Sequence, residues 1–291
     1  YQQVDHLANQ FANGLQSLGL SSGDRVCILG ENSLDHLVTF LAAAKIGAVA
    51  VSLNYRLAPA ELTYIINDAQ AKALLVLDEQ LSSVLDAMRD TLPADIHIFT
   101  RGQPKSLEWS SWLNDQSNIA VTSDVSADDA VMQMYTSGTT GNPKGVVVTH
   151  HSVVSQLGMN TILMPHRPAP GDANLICAPL FHIGGAGSIL GAMYAGIHVI
   201  LHKSFDPATV VDDLEQHAIA GIFMVPAMIM AVLALPDIEK RDFSNLKQIY
   251  YGASPISEAV LKQAMDVFGC DFIQMYGMTE TCGTVVNMSP A

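Results

Sequence analysis

Basic residues are scarce in this chain. Fourteen Lys and Arg stand against 28 Asp and Glu, a formal net charge of −14 over 291 residues. Binding a phosphate backbone needs a basic footprint, so nucleic acid is not an expected partner. Any anionic ligand must be held by local donors, because the global field repels it. Charge of either sign is low, at 14% of residues, while 49% are hydrophobic. That balance excludes disorder and implies a sizeable core, in one large domain or two ordinary ones. Cysteine is limited to Cys27, Cys177, Cys270 and Cys282, with no C-x-x-C spacing. Neither a zinc site nor a redox motif is indicated, and buried, reduced thiols in a cytoplasmic protein are the plain expectation. No signal peptide is read, since the opening YQQVDHLANQ is already amphipathic.

Asp, Glu, Lys and Arg are missing altogether from 173–202. That run exceeds the roughly 20 residues of a membrane span. Pro179, three histidines and the glycines Gly184, Gly185 and Gly187 interrupt it. A buried strand, a turn and a packed helix fit better, so no transmembrane segment is expected.

Apolar periodicity organises the rest. Helical spacing in 1–18 gives way to the strand run RVCILG, with Asn32 or Ser33 as cap of the helix that follows and AVAVSL as the next strand. APAELTYIINDAQ, AKALLVL, QLSSVLDAMRD and IHIFT continue the alternation, which weakens into a polar connection over 102–129. Strands and helices alternate again from 130 to 277. The expected class is therefore α/β, with two stacked, doubly wound, mostly parallel sheets and flanking helices.

The chain also lacks a Walker loop. Its nearest approach, YTSGTTGNPKG at 135–145, has Pro143 where that motif has glycine, and Gly145 follows the lysine. The VVV that comes next prefers strand, so this loop joins two strands and has no helix N-terminus behind it. Its chemistry must come from backbone amides freed by Gly138, Gly141 and Gly145, from the hydroxyls of Thr136, Ser137, Thr139 and Thr140, and from Lys144. Such a set can wrap a polyphosphate. A plain Gly/Thr-rich turn is the alternative on these eleven residues alone.

YTSGTTGNPKG resembles the phosphate-loop signature of the adenylate-forming superfamily of acyl-CoA synthetases, adenylation domains and luciferases. GENS at 30–33, SLNYRLAPAEL at 52–62, PLFHIGG at 179–185, KSFDP at 203–207, YGASPIS at 251–257 and YGMTET at 276–281 resemble further segments of that family in the same order. The resemblance implies that residues 1–291 form an incomplete AMP-binding N-terminal domain, lacking a C-terminal domain with a catalytic lysine. Its expected division is 34–160, carrying the phosphate loop, and 1–33 with 161–291. An uncovered surface left by the missing part would favour homo-oligomers.

The implied reaction joins a small-molecule carboxylic acid to the α-phosphate of ATP, expels pyrophosphate, and passes the acyl group to coenzyme A. Both reactants are anions, so catalysis rests on positioning and charge stabilisation. By resemblance, the loop from Thr136 to Gly141 with Lys144 holds the β- and γ-phosphates. Glu280 is the Mg2+ ligand, Thr279 donates to the α-phosphate, and Tyr276 with Gly277 faces the adenine. Gly252, Ala253 and Ser254 run along adenine and acyl group, and His182 stands by the carboxylate. The plainer alternatives are a surface lysine, a solvated glutamate, a packing tyrosine and a core histidine, respectively, for Lys144, Glu280, Tyr276 and His182. Met275 and Met278 read as wall. Amino-acid adenylation domains carry an F-D pair near the substrate ammonium, whereas Phe181-His182 occupies that place here. A buried ammonium without a partner is costly, so the tail is expected to be an apolar acyl or aryl group, accommodated by the glycines after His182 and the apolar run 222–235. Two other functions remain open on the residues: a nucleotide- or acyl-binding module without turnover, and a luciferase-like oxygenase.

Overall fold

Aliphatic runs without a polar alternate build the middle of the first sheet. The computed structural model describes residues 1–137, 141–163, 166 and 171–288. In it, Arg25–Leu29 (β1) lies between Val49–Leu53 (β2) and Ala71–Val76 (β3), parallel to both, with Val26 opposite Ala50 on one side and Ala73 on the other. Strands covered on both faces bury nearly every side chain, which is why these segments read as continuous apolar runs. His97–Thr100 (β4), Leu107–Glu108 (β5), Ala130–Thr136 (β6) and Lys144–Thr149 (β7) complete a seven-stranded sheet, ordered β5-β4-β3-β1-β2-β6-β7. Among the described residues its one antiparallel pair is β6 with β7.

Helices flank this sheet. Gln2–Ser17 (α1) buries Ala8, Phe11, Ala12 and Leu15 along one stripe. Leu34–Ile46 (α2) starts at Ser33, whose Oγ accepts from the His36 amide at 3.2 Å. Pro59–Asp68 (α3) starts on a proline, with the Glu61 carboxylate accepting from the Ala58 amide at 2.9 Å. Ser82–Met88 (α4) and Trp109–Asn114 (α5) follow. The stretch 102–129, expected to be a polar connection, thus holds β5 and α5. The reason is Trp109, whose ring is buried against Phe11 at 4.9 Å and Phe99 at 5.8 Å, while its Nε1 donates to Asp35 Oδ1 at 3.0 Å. Edge-to-face aromatic pairs contribute roughly 0.5–1.5 kcal/mol beyond their burial.

The chain divides into two units, Tyr1–Val153 and Val154–Ala291. The division expected from the sequence placed 1–33 with the second unit, and the structure corrects this. β1 is a central strand of the first sheet, and α1 packs on α2 and α5. The boundary falls inside the helix His150–Leu163 (α6).

The second unit has its own sheet, ordered β13-β12-β11-β10-β8-β9. Its strands are Ala173–Ile176 (β8), His198–Leu201 (β9), Ile219–Met224 (β10), Gln248–Gly252 (β11), Asp271–Met278 (β12) and Gly283–Met288 (β13). All pairs are parallel except β12 with β13. The helices are Ile183–Ala195 (α7), Pro207–Gln216 (α8), Pro226–Leu233 (α9) and Glu258–Phe268 (α10). Val210, Leu214, Ile229, Val232, Ala264 and Phe268 form a core with Ile249 and Tyr251 of β11. The uncharged run 173–202 is β8, α7 and β9, and no helix among the described residues is long and apolar enough to cross a membrane.

Candidate nucleotide and acyl site

The phosphate-loop segment begins where β6 ends. β6 and β7 pair antiparallel up to Thr136 opposite Lys144, so the loop is the tip of a hairpin, as its sequence implies. Of its expected ligands, Gly138, Thr139 and Thr140 lie outside the described residues. Ser137 and Lys144 are exposed, and Thr136 is half-buried. Gly141 has a φ of +111°, a conformation that favours glycine. Lys144 makes no ion pair among the described residues, so its ammonium stays available to a ligand. The stem is fixed from below. Tyr135 Oη donates to Asp68 Oδ2 at 2.6 Å and accepts from Gln133 Nε2 at 3.0 Å. Burial, reinforced by Asp68, pushes the Tyr135 phenol well above its ordinary range, so it remains a donor.

In the second unit, two motif segments leave the C-terminal ends of neighbouring parallel strands. Gly252 closes β11 opposite Met275 of β12. This end of an open parallel sheet is where ligands of such folds gather. Ala253 follows with a φ of +67°, a strained backbone for a residue with a Cβ. Strain of this kind concentrates at ligand sites. Ser254 is exposed. On β12, Tyr276 is 63% exposed, leaving its ring face open. Gly277 approaches the neighbouring backbone so closely that a Cβ there would lie 1.9 Å from the Gly283 carbonyl oxygen. The turn Thr279–Thr281 comes next, pinned by Thr281 Oγ1, which accepts from the Met278 amide at 3.1 Å and donates to the Gly283 carbonyl at 2.7 Å. It presents Glu280 to solvent beside a half-buried Thr279. One exposed carboxylate suits Mg2+ carried by substrate phosphates and waters rather than caged by protein. Among the described residues no cluster of three or more His, Cys, Asp or Glu is placed to hold a metal ion.

A cavity of about 160 Å3 opens between these segments and α7. Ala253 and Gly277 line it, together with Ile183, Gly184, Gly187 and Gly191 of α7 and Met275 of β12. Of the glycines after His182, Gly184 and Gly187 line the cavity, whereas Gly185 packs against the Pro179 backbone. His182 itself precedes α7 as its N-cap residue, is exposed, and has its ring 4.6 Å from that of Phe181. It is next to Ile183, which lines the cavity, but is not itself in the wall. Two other expectations shift. From the apolar run 222–235 only Ile222 and Phe223 reach the cavity, because Ile229 and Val232 of α9 belong to the core behind the sheet. Met278 points to solvent, being 49% exposed. Sequence reasoning missed Tyr250, Asn287, Gln156 and Asn160, all of which line the cavity.

The architecture and the paired strand-end segments define an α/β nucleotide-binding enzyme domain. The chain belongs to the AMP-binding enzyme family, whose pattern matches residues 1–291. Among its relatives is the fatty acid–[acyl-carrier-protein] ligase ScoC of Streptomyces coeruleorubidus, 35% identical over 297 residues that cover 100% of this chain and 55% of that protein. The inhibitor-bound N-terminal domain of FACL13 from Mycobacterium tuberculosis superimposes with a TM-score of 0.89 at 30% identity, covering 99% of this chain and 71% of that one. The anthranilate CoA ligase AuaEII in complex with anthranoyl-AMP gives 0.92 at 25% identity, covering 99% and 56%. The chain spans about half the length of the curated relatives it matches.

Proposed function

We propose that the whole protein activates an apolar acyl or aryl carboxylic acid as its adenylate and transfers the acyl group to the thiol of coenzyme A. The observation that carries this reading is the cavity itself. It is walled by the small residues of two strand-end segments, and none of its lining residues is charged. An ammonium-bearing amino acid would lose its hydration there without a counter-charge. A neutral tail gains from burial.

In this reading a carboxylate oxygen attacks the α-phosphorus, the bond to the bridging oxygen of the β-phosphate breaks, and pyrophosphate leaves. The loop residues hold the leaving phosphates: Thr136, Ser137, Thr139 and Thr140 through hydroxyls, Lys144 through its charge, and the segment with Gly138 and Gly141 through backbone amides. Thr279 donates to the α-phosphate, Tyr276 and Gly277 face the adenine, and Gly252, Ala253 and Ser254 lie along adenine and acyl group. His182 orients the carboxylate. Glu280 holds Mg2+, which when bound neutralises phosphate charge. The thiol then attacks the carbonyl carbon and AMP departs with the former carboxylate oxygen. ScoC is named for a carrier-protein acceptor, so the acceptor assignment is tested separately.

The test is acid-dependent exchange of labelled pyrophosphate into ATP by the whole protein, followed by thioester formation with coenzyme A or a carrier protein. Exchange that requires an apolar acid supports the reading. Exchange driven better by amino acids, or none with any acid, contradicts it.

A further inference from the structure

The cavity reaches far below the strand ends where the motif segments meet nucleotide. Strand register measures its depth. Gly252, the last residue of β11, is level with Met275 of β12. Gln248, four residues back on β11, is level with Gly221 of β10, and Gly221 with Asn174 of β8. Met275 and Asn174 both line the cavity, so it spans four strand positions, roughly 13 Å. Helix α7 gives a second ruler. Ile183 and Gly191 both line the cavity, and eight residues of helix rise about 12 Å. The segment that starts in α6 is tied at both levels. Gln156 Nε2 donates to the carbonyl of Thr284, opposite Gly277, at 2.7 Å, and the His166 carbonyl accepts from Gln248 Nε2 at 3.3 Å.

Asn174 stands at the inner end. Its neighbours Ala173 and Leu175 point into the apolar core on one face of the sheet, so Asn174 belongs to the other face. Its Oδ1 lies 3.0 Å from where a Cβ on Gly221 would stand. Two residues along, the ring of Phe223 lies 2.9 Å from where a Cβ on Gly184 would stand, so this is the face that α7 covers. Asn174 is half-buried, and its side chain makes no hydrogen bond among the described residues. The amide thus offers two donors and an acceptor to whatever fills the inner end.

Resting on the acid-activation reading above, we propose that Asn174 selects an extended acid that carries a neutral hydrogen-bonding group near the far end of its tail. A fully extended chain advances roughly 1.2 Å per bond, the rise of extended backbone divided over its three bonds. Roughly 13 Å of depth, less about 2.9 Å for the hydrogen bond, leaves a tail of about eight bonds. A hydroxyl there pairs with the amide. A methyl end leaves the amide desolvated and unpaired. A single ring with a ring hydroxyl stops short of it. A charged end would be buried without a counter-charge, since none of the lining residues is charged. The path along α7 is open: a Cβ on Gly187 would meet nothing within 4 Å, and one on Gly191 only Leu157 at 4.0 Å.

The test measures calorimetric affinity of the whole protein for non-hydrolysable acyl sulfamoyl-adenosines carrying butanoyl, nonanoyl, 8-hydroxyoctanoyl or 4-hydroxybenzoyl groups, with adenosine sulfamate as reference. The nonanoyl and 8-hydroxyoctanoyl tails have equal length and differ only in ending on methyl or hydroxyl. The 8-hydroxyoctanoyl analogue is expected to bind about fivefold tighter than the nonanoyl one, and tightest of the four. In Asn174→Leu that ratio should fall to one or below. Gly191→Leu projects a side chain into the inner end from a helix position that favours leucine over glycine. It should remove the gain of both long analogues over the butanoyl one. Nonanoyl binding as tightly as 8-hydroxyoctanoyl, or tighter, overturns the assignment to Asn174. Tightest binding by 4-hydroxybenzoyl, or a long-chain gain that survives in Gly191→Leu, overturns the extended path while leaving acid activation intact. No acyl analogue binding better than adenosine sulfamate removes the acyl-site reading itself, and the proposal with it.

Discussion

Tyr135 Oη donates a 2.6 Å hydrogen bond to Asp68 Oδ2, tying the stem of the phosphate hairpin to the end of α3. β6 pairs with β2 through two residue pairs, Ala50 with Met132 and Val51 with Gln133, so beyond Gln133 the β6–β7 hairpin is tied to its neighbours by side chains such as Tyr135. Tyr135→Phe is expected to lower stability by roughly 1.5–3 kcal/mol in urea unfolding, the worth of one hydrogen bond to a charged group. It should also weaken ATP binding severalfold. Unchanged values for both would mean the bond does not hold the hairpin.

Lys144 is the formal cation of the loop, and it stands on a protein with a net charge of −14. Lys144→Ala should weaken ATP binding by roughly tenfold or more, the scale of a charge-assisted contact. The variant should also lose part of the salt dependence of binding, because screening acts on that charge. Calorimetry at two ionic strengths checks both.

Glu280→Gln keeps the shape of the side chain and removes its charge. Mg2+-dependent pyrophosphate exchange should fall by about tenfold or more, since a divalent ion on phosphates uses one or two carboxylates. Titrating Mg2+ against the rate should show a raised requirement for the metal. Full exchange at the same Mg2+ concentration would remove Glu280 from the metal site.

His36 is fully buried in α2, and burial holds its imidazole down at about 4 against the opposing pull of the Glu31 carbonyl, Asp78 and Asp35. The folded state keeps it neutral, while the unfolded chain protonates below its ordinary value of 6.5. Stability therefore rises with pH from about 4 to 6.5 and is lost as pH falls through that window, by up to on the order of 3 kcal/mol. Denaturant unfolding of His36→Leu should show a flatter dependence than the parent between pH 5 and 6.5. Identical slopes would contradict the assignment.

Much of the fold was legible because its strands are buried on both faces. RVCIL, VAVSL and IAGIFM carry only Arg25 and Ser52 as polar side chains, too few to make an alternating pattern. The hairpin nature of the phosphate loop followed from VVV after Lys144. Harder to see was α5, where one indole anchors an otherwise polar stretch, and β13, whose GTVVNM gains its partner only from β12. The misplacement of 1–33 has a topological cause: β1 pairs with β2 and β3, and nothing local in RVCIL says which sheet it enters. At the site, the motif segments named Ala253, Gly277 and Glu280 as candidates; the first two line the cavity and Glu280 lies exposed in the turn after β12. Tyr250 and Asn287 come to the cavity only through the pairing of β11, β12 and β13, which no local pattern announces.

The most direct measurement of the central claim follows one oxygen. An acid labelled with 18O in its carboxylate is turned over by the whole protein with ATP and coenzyme A, and the AMP released is analysed by mass spectrometry. Attack of the carboxylate on the α-phosphorus predicts one 18O atom in each AMP. Label in orthophosphate or pyrophosphate, with AMP unlabelled, would show that the carboxylate attacks elsewhere and would contradict the account.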